Sequence, residues 1–446
     1  LSKDKIDKEL SGKVILVTGA AGSIGSELIR QIIKFSPQKL ILLDQAESGL
    51  YDLEQELTEY SYNMEIVVGD IANLSRIEKV FSWYKPQMVF HAAAYKHVPL
   101  MESNPCEAVE TNVQGTKNLV DLSAKYEIEK FVMVSTDKAV NPTNVMGASK
   151  RIAEIIAQHK NNNSNTAFIT TRFGNVLGSN GSVIPLFKRQ IEKGGPLTVT
   201  HPEVTRFFMT IPEACQLVIE AGIMGKGGEI FVFDMGESVK IMDLATRMIK
   251  LSGFIPEEDI KIKITGLRPG EKLFEEVLSD KESTLATHHP QILIGKVREV
   301  APEIAVDIAE LITYANEQNN EESVRKMKKI IPEFLSKNSV FDKLDNNYKL
   351  NHNIDFSEST VAIDYIEQAS DLTTIILDFD ETLFLRNSTA EYLDSLRPRW
   401  LGFIVLKIIS LIQPWSWLPK PFKGSKIRDW FLVVGATLFL PWTLFL

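Results

Sequence analysis

Three groups of residues have the types and spacing to do chemistry. The first is Gly19-Ala20-Ala21-Gly22-Ser23-Ile24-Gly25, which follows the apolar run 14–17 and opens a helical pattern. Glycines there permit a tight turn and close approach of the backbone to a pyrophosphate. The helix start supplies free N–H donors and a positive dipole end. Asp44 ends the second apolar run, at the spacing of a carboxylate that accepts hydrogen bonds from an unmodified adenosine ribose. Its charge repels a 2′-phosphate and no Arg follows it, so NAD is favoured over NADP. Asp70, after the third run, suits either the adenine edge or a helix N-cap. The second group is Ser135-Thr136-Asp137-Lys138, with Lys150 twelve residues on. A hydroxyl, a carboxyl and an ammonium in a row can bind an oxygen and move protons. Adjacent opposite charges tune each other, so a dry site there allows a neutral Lys beside a protonated Asp. The third group is cationic. Arg206 and Arg268 can fork onto a diphosphate, and Lys96 either reaches a ligand or is solvated.

These residues need a scaffold that brings distant loops together. Short apolar runs at 14–17, 40–43, 66–68, 88–90, 131–134 and 168–171 alternate with helical patterns at 26–35, 74–83, 106–125 and 147–159. Continuous apolar strands between amphipathic helices predict an α/β fold: a Rossmann-like, doubly wound parallel sheet covered on both faces. The glycine turn, Asp44, Asp70, Lys96 and Thr136 all follow strand ends, the side of such a sheet where ligands bind. Residues 10–180 are expected to form this domain. Residues 181–345, richer in Pro and Gly turns, form a smaller lobe interleaved with it. An Asn-rich stretch over 346–370 reads as a linker, and 371–446 as a separate, incomplete module.

With 446 residues, 44% hydrophobic and 24% charged, the chain is long enough for two or three domains with full cores. A formal charge of −9 argues against nucleic acid, whose phosphates demand a basic surface. Cys106 and Cys215 have no CxxC partner and read as structural thiols in a reducing compartment. His201, His288 and His289 lack metal-ligand spacing, so no metal is expected in the first 345 residues. The opening LSKDKIDKEL has no apolar core and does not start with Met; it is no signal peptide, and an upstream segment is expected.

Six motifs then appear in one order: GxxGxxG at 19–25, HAAAYKHVPLME at 91–102, STDKAVNPTNVMGASK at 135–150, RFGN at 172–175, RFFMT at 206–210 and GLRPGEK at 266–272. Together they resemble the CapD-like polysaccharide-biosynthesis proteins, nucleotide-sugar 4,6-dehydratases of the extended short-chain dehydrogenase/reductase superfamily. The resemblance spans roughly residues 10–345. It implies NAD on Gly19, Gly22, Ser23, Ile24, Gly25, Asp44, Asp70, Ile71, Ala92 and Lys150. It implies a UDP-N-acetylhexosamine, typically UDP-N-acetylglucosamine, held by Lys96, Asn175, Arg206, Arg268 and Glu271. Asp137 becomes the acid at the departing C6 hydroxyl, Lys138 the base at C5, and Thr136 the partner of the C4 oxygen. The superfamily places a tyrosine four residues before Lys150, where this chain has Met146. The larger, membrane-associated branch of the family also carries Met there. A thioether takes no proton, which leaves the C4 base open among Lys138, Lys150 and a water relayed through Thr136. A 4-epimerase, which needs no C6 acid, and a non-catalytic cofactor-binding module are the rival readings. A homo-oligomer in the cytoplasm is expected.

The tail is different in kind. Five of six tryptophans and five Lys/Arg against one acid fall in the last 47 residues, so removing its +4 leaves residues 1–399 at −13. Asp378-Phe379-Asp380-Glu381-Thr382 after an apolar run resembles the first motif of haloacid-dehalogenase-like phosphatases. That resemblance implies a Mg site at Asp378 and Asp380 once such a domain is complete. Apolar stretches at 401–412 and 430–446 flank a basic loop and suggest contact with the inner face of the plasma membrane. A buried helix of a truncated domain is the other reading.

Overall fold

The computed structural model describes residues 3–276, 284–295 and 303–345. Contacts divide the chain into residues 1–345 and 346–446. The linker, Asp378, Asp380 and the apolar tail stretches all lie outside the described residues, as does the membrane contact read from them. Among the described residues no helix is long and apolar enough to cross a membrane.

After α1 (Lys3–Leu10) come β1 (Val14–Thr18), α2 (Ser23–Ile32), β2 (Lys39–Asp44), α3 (Glu47–Glu56), β3 (Met64–Val68), α4 (Leu74–Tyr84) and β4 (Met88–His91). α5 (Val98–Ser103), α6 (Pro105–Ala108), a π-helical stretch (Val109–Gly115) and α7 (Thr116–Lys125) lead into β5 (Lys130–Thr136), α8 (Val145–Asn161) and β6 (Ala167–Phe173). The six strands are parallel in the order β3-β2-β1-β4-β5-β6, the doubly wound arrangement with its crevice between β1 and β4. The strands are continuously apolar because both faces are covered. Leu16, Ile41, Val89 and Phe131 face a core shared with Leu119 of α7 and Ile152 of α8. Their sequence neighbours Ile15, Val17, Leu40, Leu42 and Phe90 face a second core with Leu28 of α2. Alternation of side chains along each strand makes the division.

The rest of the chain splits between two places. Its elements are β7 (Asn175–Val176), α9 (Val183–Glu192), β8 (Leu197–Val199), β9 (Thr205–Arg206), β10 (Phe208–Met209), α10 (Ile211–Met224), β11 (Ile230–Phe233), β12 (Val239–Lys240), α11 (Ile241–Leu251), β13 (Ile262–Ile264), β14 (Thr284–Ala286), β15 (Ile292–Gly295), α12 (Ile304–Asn316) and α13 (Asn320–Ile330). β11 joins β6 in parallel, and β15 and β14 extend that edge antiparallel, an addition the apolar runs do not announce. Leu217 and Val218 of α10 enter the second core, and Leu311 and Met327 of α12 and α13 enter the first. α9, β8, α11 and β13, with Phe208 of β10 against them, close around a third core of Phe187, Ile191, Leu197, Val199, Ile241 and Ile249, which is the lobe proper.

The single helix anticipated over 106–125 is broken by its π-helical stretch. There Asn112 donates through Nδ2 to the Tyr95 carbonyl at 2.9 Å and to Ser149 Oγ at 2.9 Å, while its Oδ1 accepts from the Tyr95 amide at 2.8 Å. A wider turn carries this buried side chain between the β4 loop and α8.

Candidate active site

The glycine turn has the form its sequence requires. Gly19 sits at φ +70°, and a Cβ there would fall 2.5 Å from the Ala93 amide nitrogen. A Cβ on Gly25 would fall 2.0 Å from the Gly19 carbonyl oxygen. No side chain caps α2 at Gly22, so its first-turn amides at Ser23 and Ile24 keep their capacity for an anion. Asp44 accepts from the Ala21 amide at 3.0 Å and the Ala46 amide at 2.9 Å, tying the end of β2 to the turn with lone pairs to spare. This cradle fits a dinucleotide: space that any side chain would fill, uncapped donors, and a carboxylate one strand away. Ala92 follows β4 beside the turn, its amide on the Thr18 carbonyl. Ile71 is a core residue, packed over Gly115 with its carbonyl on Asn118. Asp70 is exposed and bonds the Ala72 amide; the N-cap of α4 is Asn73, so the capping alternative for Asp70 falls away.

At the end of β5, Thr136 Oγ1 donates to Asp137 Oδ1 at 2.9 Å. Lys138 Nζ donates to the same oxygen at 3.0 Å and to Asn175 Oδ1 at 3.1 Å. The other oxygen of Asp137 is buried without a partner among the described residues, facing Gly174, where a Cβ would stand 3.1 Å away. Burial by itself lowers the Lys138 pKa. The Asp137 and Glu275 carboxylates outweigh it and raise the Lys138 pKa. The neutral Lys that the sequence left open is therefore not the resting state of this arrangement.

α8, begun by Asn144, whose Oδ1 accepts from the Gly147 amide at 2.7 Å, carries Met146 and Lys150. Met146 is part of the first core. Lys150 is also buried, and desolvation, opposed by Glu154, brings its pKa down to about 8. His91 nearby is neutral, desolvated and held between Thr18 Oγ1 at 2.8 Å and Thr116 Oγ1 at 2.9 Å. Among the described residues no cluster could hold a metal ion.

The substrate-side residues do not behave alike. Arg206 is a buried rivet. It donates to the carbonyls of Thr205 at 2.7 Å, Lys272 at 2.9 Å and Leu273 at 3.3 Å, and pairs with Glu271 at 3.3 Å. Arg268 is exposed and, among the described residues, pairs only with Glu271, which leaves its guanidinium open to an anion. Lys96 is exposed, yet the surrounding protein lowers its pKa by desolvation. Lys272 is buried and donates to the Val140 carbonyl at 2.8 Å.

Two buried carboxylates were not singled out from sequence. Glu154 takes Arg172 in a fork at 3.1 and 2.7 Å, Ser135 Oγ at 2.6 Å and Arg151 at 2.9 Å. Glu275 lies 3.5 Å from Lys138 and 3.8 Å from Arg206. A signal existed for the second, as Glu275 follows directly on the GLRPGEK motif.

The chain has relatives among known proteins. The family described as "Polysaccharide biosynthesis protein" matches residues 15–297. The chain is 55% identical over 312 residues to the capsular polysaccharide biosynthesis protein CapD of Staphylococcus aureus, covering 69% of this chain and 52% of that protein. It is 35% identical over 280 residues to a UDP-N-acetylglucosamine 4,6-dehydratase (inverting) of Campylobacter jejuni, covering 62% and 80%. It is equally 35% identical, over 283 residues, to a UDP-glucose 4-epimerase of Rickettsia canadensis, covering 61% and 80%. The chain spans about half the length of the curated relatives it matches at the highest identity. With more than half of its residues inside the family match, and the six motifs on one parallel sheet, the chain belongs to the polysaccharide biosynthesis protein family, as a CapD-like member with the extended short-chain dehydrogenase/reductase fold.

Proposed function

We propose that this chain is an NAD-dependent nucleotide-sugar 4,6-dehydratase. It converts UDP-N-acetylglucosamine, or a close UDP-N-acetylhexosamine, to a 4-keto-6-deoxy sugar for surface polysaccharide. The observation that supports this over epimerisation is Lys138 and Asp137 joined beside Thr136 at the strand end next to the glycine cradle. Oxidation and re-reduction at one carbon need no such acid–base pair; elimination across two carbons does.

NAD bound on the cradle supplies the acceptor, and later the donor, of one hydride. Thr136 holds the C4 oxygen, whose proton leaves with the hydride's departure to one of the three acceptors still open: Lys138, Lys150 or a water relayed through Thr136. The pair's shared proton first passes from the Lys138 ammonium to Asp137. Lys138 then takes the C5 proton, acidified by the neighbouring ketone, and Asp137 gives its proton to the C6 hydroxyl as it leaves as water; Lys138 returns a proton to C5 as the hydride reaches C6. Lys150 holds the nicotinamide ribose. Gly19, Gly22, Ser23, Ile24 and Gly25 carry the pyrophosphate. Asp44 carries the ribose, and Asp70, Ile71 and Ala92 line the rest of the cofactor. Arg268 and Lys96 meet the diphosphate with Asn175, on a loop that Arg206 secures, and Glu271 serves the uridine ribose. Residues 10–180, joined by the later elements that complete the sheet, carry the cofactor, and within 181–345 the lobe around α9, β8, α11 and β13 takes the sugar nucleotide. A homo-oligomer, and membrane contact through 401–446, belong to the same proposal; flotation with vesicles tests the latter.

Incubation with UDP-N-acetylglucosamine and NAD, followed by proton NMR, tests the reaction. A new C6 methyl doublet is the expected result. Appearance of UDP-N-acetylgalactosamine instead would move the assignment to epimerase, and absence of any turnover would sink both.

A further inference from the structure

Glu275 lies 137 positions from Lys138 in sequence, and the fold brings its carboxylate to the reacting end of β5. Oε1 stands 3.5 Å from the Lys138 ammonium, and the side chain is only 3% exposed. Its second oxygen, Oε2, is buried with no hydrogen-bond partner among the described residues. A buried carboxylate with a vacant oxygen is costly to keep, and its position needs a reason. Arg206 is not that reason, being farther away at 3.8 Å and already served by three carbonyls and Glu271.

We propose that Glu275 is a positioning residue that holds Lys138 as an ammonium against Asp137 and Asn175, and so sets the pH range in which Lys138 can take a proton. The contact stands on geometry; the meaning of Lys138 as proton acceptor rests on the dehydratase reading above. The groups facing Lys138 are Asp137 from its own turn, Asn175 from β7, Arg206 from β9 and Glu275 from the loop after Gly270. Lys272 lies near both carboxylates, with its own ammonium on the Val140 carbonyl. Of these, Asp137 and Glu275 favour the charged amine, and Arg206 and burial disfavour it. Neutralising Glu275 leaves one carboxylate against both opposing effects, so Lys138 must lose its proton at lower pH.

Trace acetylation with acetic anhydride modifies only neutral amines. The pH at which Lys138 is half-reactive, read from its peptide by mass spectrometry on the full chain, reports its protonation without any turnover. In Glu275→Gln this midpoint should fall by about 1 pH unit or more. In Glu275→Asp, whose carboxylate is drawn back by about 1.5 Å, it should fall less. The alkaline-rising limb of kcat for UDP-N-acetylglucosamine should move the same way, with KM changed by less than about threefold. Midpoints within about 0.3 unit of the parent in both variants would overturn the proposal, as would a raised KM with an unmoved limb, which marks a residue that only holds the loop. If Glu275→Gln fails to fold, Glu275→Asp decides alone. A parent protein that makes no 4-keto-6-deoxy sugar defeats the dehydratase reading, while the labelling midpoints still decide the role of Glu275.

Discussion

Lys150 and Met146 share one helical face and have opposite relations to the core. Lys150 is an ammonium in a place that disfavours charge, with a pKa of about 8 caused first by burial. Between about 8 and the ordinary 10.5, the unfolded chain keeps a proton that the folded chain has lost. Stability therefore rises with pH across that window, and at neutral pH the whole penalty, of order 3 kcal/mol, is present. Lys150→Met should raise the thermal midpoint at neutral pH by about 3–6 °C and weaken NAD by about tenfold or more. Calorimetry with and without NAD checks both, and a lowered midpoint would refute the account. Met146, by contrast, is packing. Met146→Leu conserves volume and should cost less than about 1.5 kcal/mol while sparing turnover; loss of turnover would mean the thioether does more than fill space. Thr136, Asp137 and Lys138 could be located from sequence because motif and strand end coincide, and Lys150 because it falls on the helical pattern that follows. Glu154 and Glu275 were not, since a carboxylate in a helical or turn pattern looks like a solvated one until the chain folds.

At the scale of elements, the site depends on how β5, β6 and α8 are locked together. Ser135 of β5, Arg172 of β6 and Arg151 of α8 all converge on Glu154. Burial alone would push the Glu154 pKa up, but Arg172 and then Arg151 outweigh it and bring it to about 2. A depressed carboxyl stabilises the fold above its unfolded value and loses that contribution as pH falls from about 4.5 towards 2. Glu154→Gln removes the charge that compensates the buried Arg172. It should cost about 3–5 kcal/mol at neutral pH and flatten the fall of stability on the acid side. Urea titrations across that range read both; a parallel, undiminished acid limb in the variant would place the acid sensitivity elsewhere. The helix boundaries around this lock were legible where caps announce them, as Asn144 does for α8. The π-helical stretch was not, because nothing in the apolar spacing of 106–125 shows that Asn112 must reach both Tyr95 and Ser149.

At the scale of the molecule, the six parallel strands could be read from sequence because each is a continuous apolar run set off by turns. β14 and β15, three and four residues long, are too short to show a period, and so the antiparallel edge was invisible. Equally invisible was the strap after α13. Its Leu335 and Lys337 amides donate to the carbonyls of Pro142 and Thr143, at 3.2 Å each, in the loop that leads from Lys138 into α8. The Lys337 carbonyl accepts from the Gly270 amide at 2.7 Å, and Ser339 Oγ donates to Glu102 at 2.5 Å, whose other oxygen accepts from the Val145 amide at 2.6 Å. Phe334, Phe341 and Leu344 are buried beneath it in the first core. The strap thus joins three parts of the site, the β5 loop, the start of α8 and the loop of Gly270, although it contains no residue assigned to chemistry. Burying those three side chains is worth about 5 kcal/mol or more, comparable with the whole stability of a domain. A chain ended after Asp345 should therefore unfold cooperatively and bind NAD. One ended after Glu333 should lose both, as urea unfolding and NAD titration would show. If the shorter chain matches the longer in midpoint and affinity, the strap is a surface decoration, and the loop before α8 must be held by α8 and the sheet alone.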